Sequence, residues 1–584
     1  MKALLIFPPQ WHPATPYLSV PLLVAQLEAA GIQAEGWDLN VEFYNDILTA
    51  ENIQKTVDSL KYDLENKIGE KEKLNEIEKV LNYQSHKITQ SIKYIEEAKR
   101  TLKSNDFYNP ILFLKAKKII NYALELISLK YYPTKLSLSE FSNKDMPYTY
   151  EGITQICTNP EKNIFYDYIK NKIKEKGIEN YDYIGISVAH TAQLLASFTL
   201  GKLIKDNHKS HISFGGNLVT RIKDLALKHT DIFDTYLDTI SLGNGENSII
   251  QLSNAINKNG RLEEVEGLMY KNEQGNININ PVKQFKSLST ISSPSFTGYN
   301  LTDYFIPQII IPLQLAKGCY WSKCTFCDFH YGRNSFISDT AENIVNKLET
   351  LKEKYNIANF EFVDAAVHPT FYEKLADEII KRKLDISFYS MARAEKEFTP
   401  KILKKLKKAG LKMLFWGVES ASEKVIDLMQ KGINIKETKR ILKDSANQGI
   451  WNHTYFMLGF PKETPEDATI STNFILKNNK IIDSFSAQPF TLSKHSIVSK
   501  TPEKFNIYQL EDTEEFLPNY DFEYHYDVSS YLSYLHNSYI KKEKLTLWKI
   551  LTPDEYLFLY VIKYGRKWVK KFHFDEKKAH IPKF

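Results

Sequence analysis

Three of the four cysteines in this 584-residue chain, Cys319, Cys324 and Cys327, fall within nine consecutive positions of the segment KGCYWSKCTFCDFHYGR. Thiolates are soft, electron-rich ligands suited to zinc or to iron–sulfur clusters. Three protein sulfurs leave one position open, and in a [4Fe–4S] cluster the open iron can take a small molecule through its amino and carboxylate groups. The rival arrangement is a structural zinc ion with His330 or Cys157 as a remote fourth ligand. Structural zinc, however, prefers four closed ligands at paired short spacings. Cysteines this few and this clustered argue against a disulfide scaffold and for a metal site in a reducing, cytoplasmic setting. Cys157, far upstream in a polar segment, reads as an incidental thiol.

These residues need strands and loops to hold them. KALLIFPP reads as a short buried strand that stops at its prolines, SVPLLVAQLEAAG as a helix closed by Gly31, and IQAEGWDLN as a second strand, which together make a βαβ unit. From about residue 51 the character changes. Lys, Glu and Asn rise, glycine nearly vanishes, and apolar residues recur at helical spacing, as in LKAKKIINYALELI. Strand–helix alternation resumes with YDYIGISV, HISFGGN and TYLDTISLGNGE. From Gln308 six further strand candidates alternate with amphipathic helices, the pattern of a parallel, barrel-like domain with its functional residues at the strands' C-terminal ends.

The chain is therefore expected to be α/β. An N-terminal Rossmann-like (flavodoxin-like) domain comes in two parts, 1–50 and 176–270, around a helical insertion at 51–175. An Asn-, Ser- and Pro-rich linker at 271–305 leads into a partial (β/α)6 barrel at 306–492, and an α-rich region at 493–584 follows.

Composition sets wide bounds. A chain this long exceeds a single core, and 43% hydrophobic with 25% charged residues suits a globular protein. A formal charge of +5 from 76 basic and 71 acidic side chains favours neither nucleic acid nor membrane. MKALLIFPPQ is neither a signal peptide nor a span, so no membrane crossing is expected.

The cysteine triplet, with Phe326 just before its last member, resembles the signature of the radical S-adenosylmethionine (SAM) superfamily. The usual spacing puts three residues between the first two cysteines; here there are four, Tyr320 to Lys323. A loop can absorb that extra residue. The resemblance implies that the three cysteines hold a catalytic [4Fe–4S] cluster. It makes Asp364 in FVDAA a contact to the SAM amino end, although the usual glycine pair is absent, and it makes Arg393 in SMARAE the partner of the SAM carboxylate, for which a guanidinium fork is suited. Glu419 in FWGVES and Gly459, with Pro461, in MLGFPKET resemble the later strands that handle ribose and adenine.

The halves 1–50 and 180–255 resemble the cobalamin-binding domain found upstream of many radical SAM barrels. The matching residues are Pro9 and Gln10 after the first strand, Ser187 in DYIGISV, the Gly215–Gly216 pair, and Gly243 and Gly245 in LGNGE. Glycines at strand ends let backbone approach a bulky ligand. Asn244 stands where the family often has an acid. There is no Asp-x-His-x-x-Gly run, so cobalamin is expected to bind without histidine ligation, His12 and His190 being the nearest histidines to the expected loops.

The resemblance implies reductive cleavage of SAM to a 5′-deoxyadenosyl radical, followed by cobalamin-dependent methyl transfer to an unactivated carbon of a small-molecule or peptide substrate. An external low-potential electron donor is required. The alternatives are a radical cyclisation or rearrangement without methyl transfer and, in another class, a zinc-bearing RNA-binding or interaction protein using the insertion and the basic tail RKWVKKFHF. Nucleic acid is not an expected partner.

Overall fold

The computed structural model describes residues 1–257, 260–329, 331–332, 335–542, 547–549 and 551–572. The first βαβ unit consists of β1 (Lys2–Phe7), α1 (Ser19–Ala29) and β2 (Gln33–Asp38). The insertion follows as a stack of helices that includes α2 (Ala50–Glu65), α3 (Ser85–Lys103) and α4 (Pro110–Leu129). Its helix starts are encoded locally: Thr49 accepts from the Asn52 amide, and Asn109 accepts from Ile111 and Leu112 ahead of Pro110.

The sheet resumes with β3 (Tyr183–Ser187), α5 (Leu194–Asn207), β4 (His211–Gly215), β5 (Thr239–Ser241) and α6 (Gly245–Ile256), and ends with β6 (Leu268–Lys271) and β7 (Ile277–Ile279). Its order is β2-β1-β3-β4-β5-β6-β7, with the first five strands parallel and the last two antiparallel. The parallel part has the doubly wound flavodoxin order, which opens a ligand crevice beyond the strand C-termini where β1 and β3 diverge. β7 carries the sheet to Ile279, past the boundary expected at 270. The stretch around Asn272 is a hairpin turn rather than a linker, because the Asn272 side chain accepts from the amides of Gln274 and Asn276.

The barrel is a six-stranded parallel sheet in sequential order: β8 (Ile310–Leu313), β9 (Asn359–Phe362), β10 (Ser387–Ala392), β11 (Leu411–Glu419), β12 (Trp451–Leu458) and β13 (Ser484–Pro489). Alternation divides each strand between two cores. Phe360, Phe362, Phe388 and Trp416 pack outward with Leu348, Leu375 and Leu403 of the surrounding helices, whereas Tyr389, Met413 and Phe415 face inward.

The inward face is not left to solvent. Helix α7 (Val528–Lys542) is followed by α8 (Asp554–Tyr564), whose Tyr556 to Val561 are buried, and Phe558 packs 4.8 Å from Tyr389. The same helix reaches the insertion, Tyr556 lying 5.3 Å from Phe107 and donating from its hydroxyl to Phe305 O. The C-terminal region thus ties insertion to barrel. No helix among the described residues is long and apolar enough to cross a membrane.

Candidate active site

The cysteine loop leaves β8 through a short antiparallel hairpin, Ala316–Lys317 against Ile337–Ser338, which closes the loop at its base. Asp364, just after β9, accepts from the amides of Leu315 and Ala316, each at 2.8 Å, and is buried. Both carboxylate oxygens accept from backbone. Asp364 thereby anchors the loop's first strand, and the remaining lone pairs of its carboxylate leave the expected contact with the SAM amino end open. The middle of the loop is pinned to the turn after β11: Thr325 donates from its amide to Met429 O and from its hydroxyl to Leu428 O, and Trp321 donates to Gln430 O, all at 2.9 Å.

Arg393, after β10, is buried and stacks its guanidinium 4.2 Å from the centre of the Trp321 ring. Nε donates to Glu395 at 3.0 Å and Nη2 to Lys431 O at 2.6 Å, while Nη1 lies 4.0 Å from Cys324 Sγ. The fork expected to be open is thus two-thirds engaged, and its remaining nitrogen faces the sulfur. Glu419 closes β11 with φ +66°, a conformation unfavourable for a non-glycine residue, and pairs at 2.8 Å with the buried Lys431, which lies over the Phe326 ring. Burial raises the Cys324 thiol, with Lys431 and Arg393 pulling the other way, and burial pushes Cys327 up to about 11. Phe326, Arg393 and Glu419 are brought together here around Cys324. Lys431 joins them unexpectedly; its place before Gly432 gave no motif to find it by.

Gly459 ends β12 with φ +84°, and a Cβ there would lie 2.6 Å from Tyr524 of the C-terminal region. Its amide donates to Glu463, as does the hydroxyl of Tyr526 at 2.8 Å. Burial pushes the Glu463 carboxyl up to about 7 against those hydrogen bonds. An acid whose folded pKa lies above its unfolded value near 4.5 contributes stability below 4.5 that is lost as pH rises toward 7. Relative to Glu463→Gln, the native chain is expected to lose on the order of 3 kcal/mol of unfolding free energy between those pH values, at about 1.4 kcal/mol per pH unit. Urea titrations of both proteins across the range check this, and parallel curves would refute it.

Beyond the C-terminal ends of β1, β3, β4 and β5 lies a cavity of about 210 Å³. Ser187, Gly215, Gly216, Gly243 and Gly245 line it, and Tyr331 and Gly332 of the cysteine loop form part of its wall. Close packing of the chain requires glycine at one of them: a Cβ on Gly216, at φ +112°, would stand 2.5 Å from Val188 O. Two buried polar atoms at this cavity lack partners, Glu246 Oε2 and Asn244 Nδ2. An open cradle with unpartnered buried polar atoms is suited to a polar ligand that supplies their hydrogen bonds.

Pro9 and Gln10 do not line the cavity, because the chain after β1 turns toward the insertion, where the buried Gln10 side chain donates to Leu138 O at 3.2 Å. Among the described residues, no histidine lines the cavity either. His190 caps the Ala192 amide and His12 packs against Tyr556. Cys157 is buried, with its sulfur 3.8 Å from the Tyr236 hydroxyl. His330, the other remote ligand considered for zinc, lies outside the described residues, as do the last two residues of RKWVKKFHF. Among the described residues, no three His, Cys, Asp or Glu side chains converge as a single-ion site would require. The thiols of Cys319, Cys324 and Cys327 are nevertheless near enough to influence one another electrostatically.

Residues 313–474 match the family model of the radical SAM superfamily. An uncharacterized methyltransferase of Pyrococcus horikoshii is 27% identical over 305 residues, which are 51% of this chain and 64% of that protein. The chain thus spans somewhat under two thirds of that relative. Among solved structures, the cobalamin-dependent radical SAM enzyme OxsB with aqua-cobalamin and SAM bound superposes with a TM-score of 0.54 at 17% identity, over 69% of this chain and 65% of that one. TsrM from Kitasatospora setae, a radical SAM methyltransferase with cobalamin and a [4Fe–4S] cluster bound, gives 0.54 at 13% identity, over 86% and 78%. At these identities the two likenesses establish a shared fold.

Proposed function

We propose, for an enzyme that belongs to the radical SAM superfamily through its barrel, that it cleaves SAM reductively at Cys319, Cys324 and Cys327 and performs cobalamin-dependent methyl transfer to an unactivated carbon. One observation carries this reading. The cavity at the N-terminal sheet is walled jointly by sheet-end glycines and by Tyr331 and Gly332 of the cysteine loop, so a ligand held there would border the loop that carries the cluster. The cofactors named for OxsB and TsrM, and the methyltransferase from Pyrococcus, are consistent with it.

When bound, a [4Fe–4S] cluster supplies the electron that releases a 5′-deoxyadenosyl radical from SAM, and cobalamin supplies a methyl carrier. The chain's own residues hold and orient. Arg393 presents Nη1 beside Cys324, where a cation favours the thiolate that binds iron and can also take the SAM carboxylate. Glu419, on its strained strand end, and Gly459 border the ribose and adenine, and Phe326 packs beneath Lys431. Asp364 fixes the loop's entry strand. In the N-terminal domain Ser187, Gly215, Gly216, Gly243 and Gly245 would hold the corrin. The substrate is a small molecule or peptide, the electron comes from an external low-potential donor, and a cytoplasmic location keeps the cysteines reduced.

The test is anaerobic reconstitution with iron and sulfide, followed by SAM, a low-potential reductant and cobalamin, with 5′-deoxyadenosine and S-adenosylhomocysteine quantified together. Both products are expected. 5′-Deoxyadenosine alone would replace methyl transfer with cyclisation or rearrangement, and intact SAM would overturn the reading.

A further inference from the structure

The cysteine loop is fastened to the N-terminal domain at both of its flanks, by ion pairs of opposite polarity. Two residues before Cys319, Lys317 pairs with Glu246 of the sheet-end segment; both side chains are buried, at 6% and 5% exposure. Lys317 also donates to Gln314 at 3.2 Å. One residue after Cys327, the buried Asp328 pairs with Arg221, from the short helix that follows Gly216.

This second pair sits in a knot. The other Asp328 oxygen accepts from Ser493 Oγ at 2.5 Å, His495 contacts the Arg221 carbonyl at 2.7 Å, and the His495 ring stacks on Tyr331 with centroids 3.6 Å apart and planes within 4°. Tyr331, so held, and Gly332 beside it form part of the cavity wall. Breaking one partner of a buried pair leaves an uncompensated charge. The loop therefore does not shift independently of the sheet end.

We infer that the Lys317–Glu246 and Asp328–Arg221 pairs couple the two sites, so that an ordered cluster loop and an occupied cavity stabilise one another. A loop without its cluster keeps its flanking anchors but lacks the restraint of three sulfurs, so the Tyr331–Gly332 wall is held less firmly. A ligand that touches that wall binds the cluster-loaded form more tightly, and linkage requires the converse, that the ligand slows loss of iron. The inference rests on the cobalamin reading given above. Arg221 and Asp328 are positioning residues here, and neither lines the cavity.

The experiment compares hydroxocobalamin affinity of the iron-free and the cluster-loaded protein by absorbance titration, together with the rate at which a chelator strips iron with and without cobalamin. The native chain is expected to bind at least about tenfold more tightly when loaded, within the usual range of coupling between sites. Arg221→Asp and Asp328→Arg, each placing like charges in contact, are expected to shrink the difference to within about twofold, and the double reversal to return it to at least about fivefold. The return distinguishes a pairing role from general damage. Equal affinity of the two native forms would overturn the coupling alone, as would single reversals that keep the tenfold difference. Failure of both native forms to bind cobalamin would overturn the cobalamin reading and the coupling with it.

Discussion

Cys324→Ala is expected to lower 5′-deoxyadenosine formation by about 10³-fold or more, the scale on which a member of an interdependent catalytic set acts. The fold is expected to survive, because the loop's anchors do not use the sulfur. Thr325 is held on Leu428 and Met429, Trp321 on Gln430, and Asp364 on Leu315 and Ala316. What disappears is one of three soft ligands, and a cluster held by two cannot be retained at one face of the barrel. Iron and sulfide content, 5′-deoxyadenosine and thermal midpoint measured on the same preparation distinguish the cases. A variant that keeps both its iron and its turnover would remove Cys324 from the cluster, and one that unfolds would show that the loop's anchors do not suffice.

Gly215→Leu is expected to weaken cobalamin binding about 100-fold, equivalent to roughly 2.7 kcal/mol, while 5′-deoxyadenosine continues to form. The position suits the experiment because of its contrast with its neighbour. Gly216 has φ +112° and no room for a Cβ, whereas a Cβ on Gly215 would meet only Ser241, at 3.5 Å for the nearest atom, an ordinary contact. A leucine there projects into the 210 Å³ cavity without straining the backbone. S-adenosylhomocysteine should fall along with cobalamin affinity. Unchanged affinity would mean that the corrin does not use this cavity.

The parts of this architecture that are local in sequence could be read directly. Short apolar runs bounded by glycine or proline became the parallel strands of both sheets, and the cysteine triplet and strand-end glycines stood out by their spacing and by where they fall along those strands. Side-chain commitments made over long distances were not legible. Asp364 was singled out only by the family resemblance, and nothing in its surroundings foretold that its oxygens also accept from amides almost fifty residues upstream. Gln10 followed a plausible strand end, yet the chain turned it toward Leu138. Arg221 and Asp328 carry no motif and meet only because two domains meet. Helix α8 gave no sign of its partner on the insertion, since nearly continuous apolar residues such as those in YLFLYV specify burial without naming what buries them.

That helix has a consequence for how the protein is made. During synthesis β13 leaves the ribosome about 65 residues before α8 begins, an interval of roughly 3–13 s at ordinary translation rates. Throughout it, the six barrel strands can pair in sequence, each with its predecessor, yet the inward faces of Tyr389 and Phe415 have no cover and the aromatic surface around Phe107 on the insertion has no partner. The nascent chain therefore carries two uncovered apolar surfaces that a single late segment seals together. Aggregation during biogenesis should be governed by how quickly that segment arrives, and slowing its translation should cost yield of folded protein even where every residue of the finished molecule is unchanged.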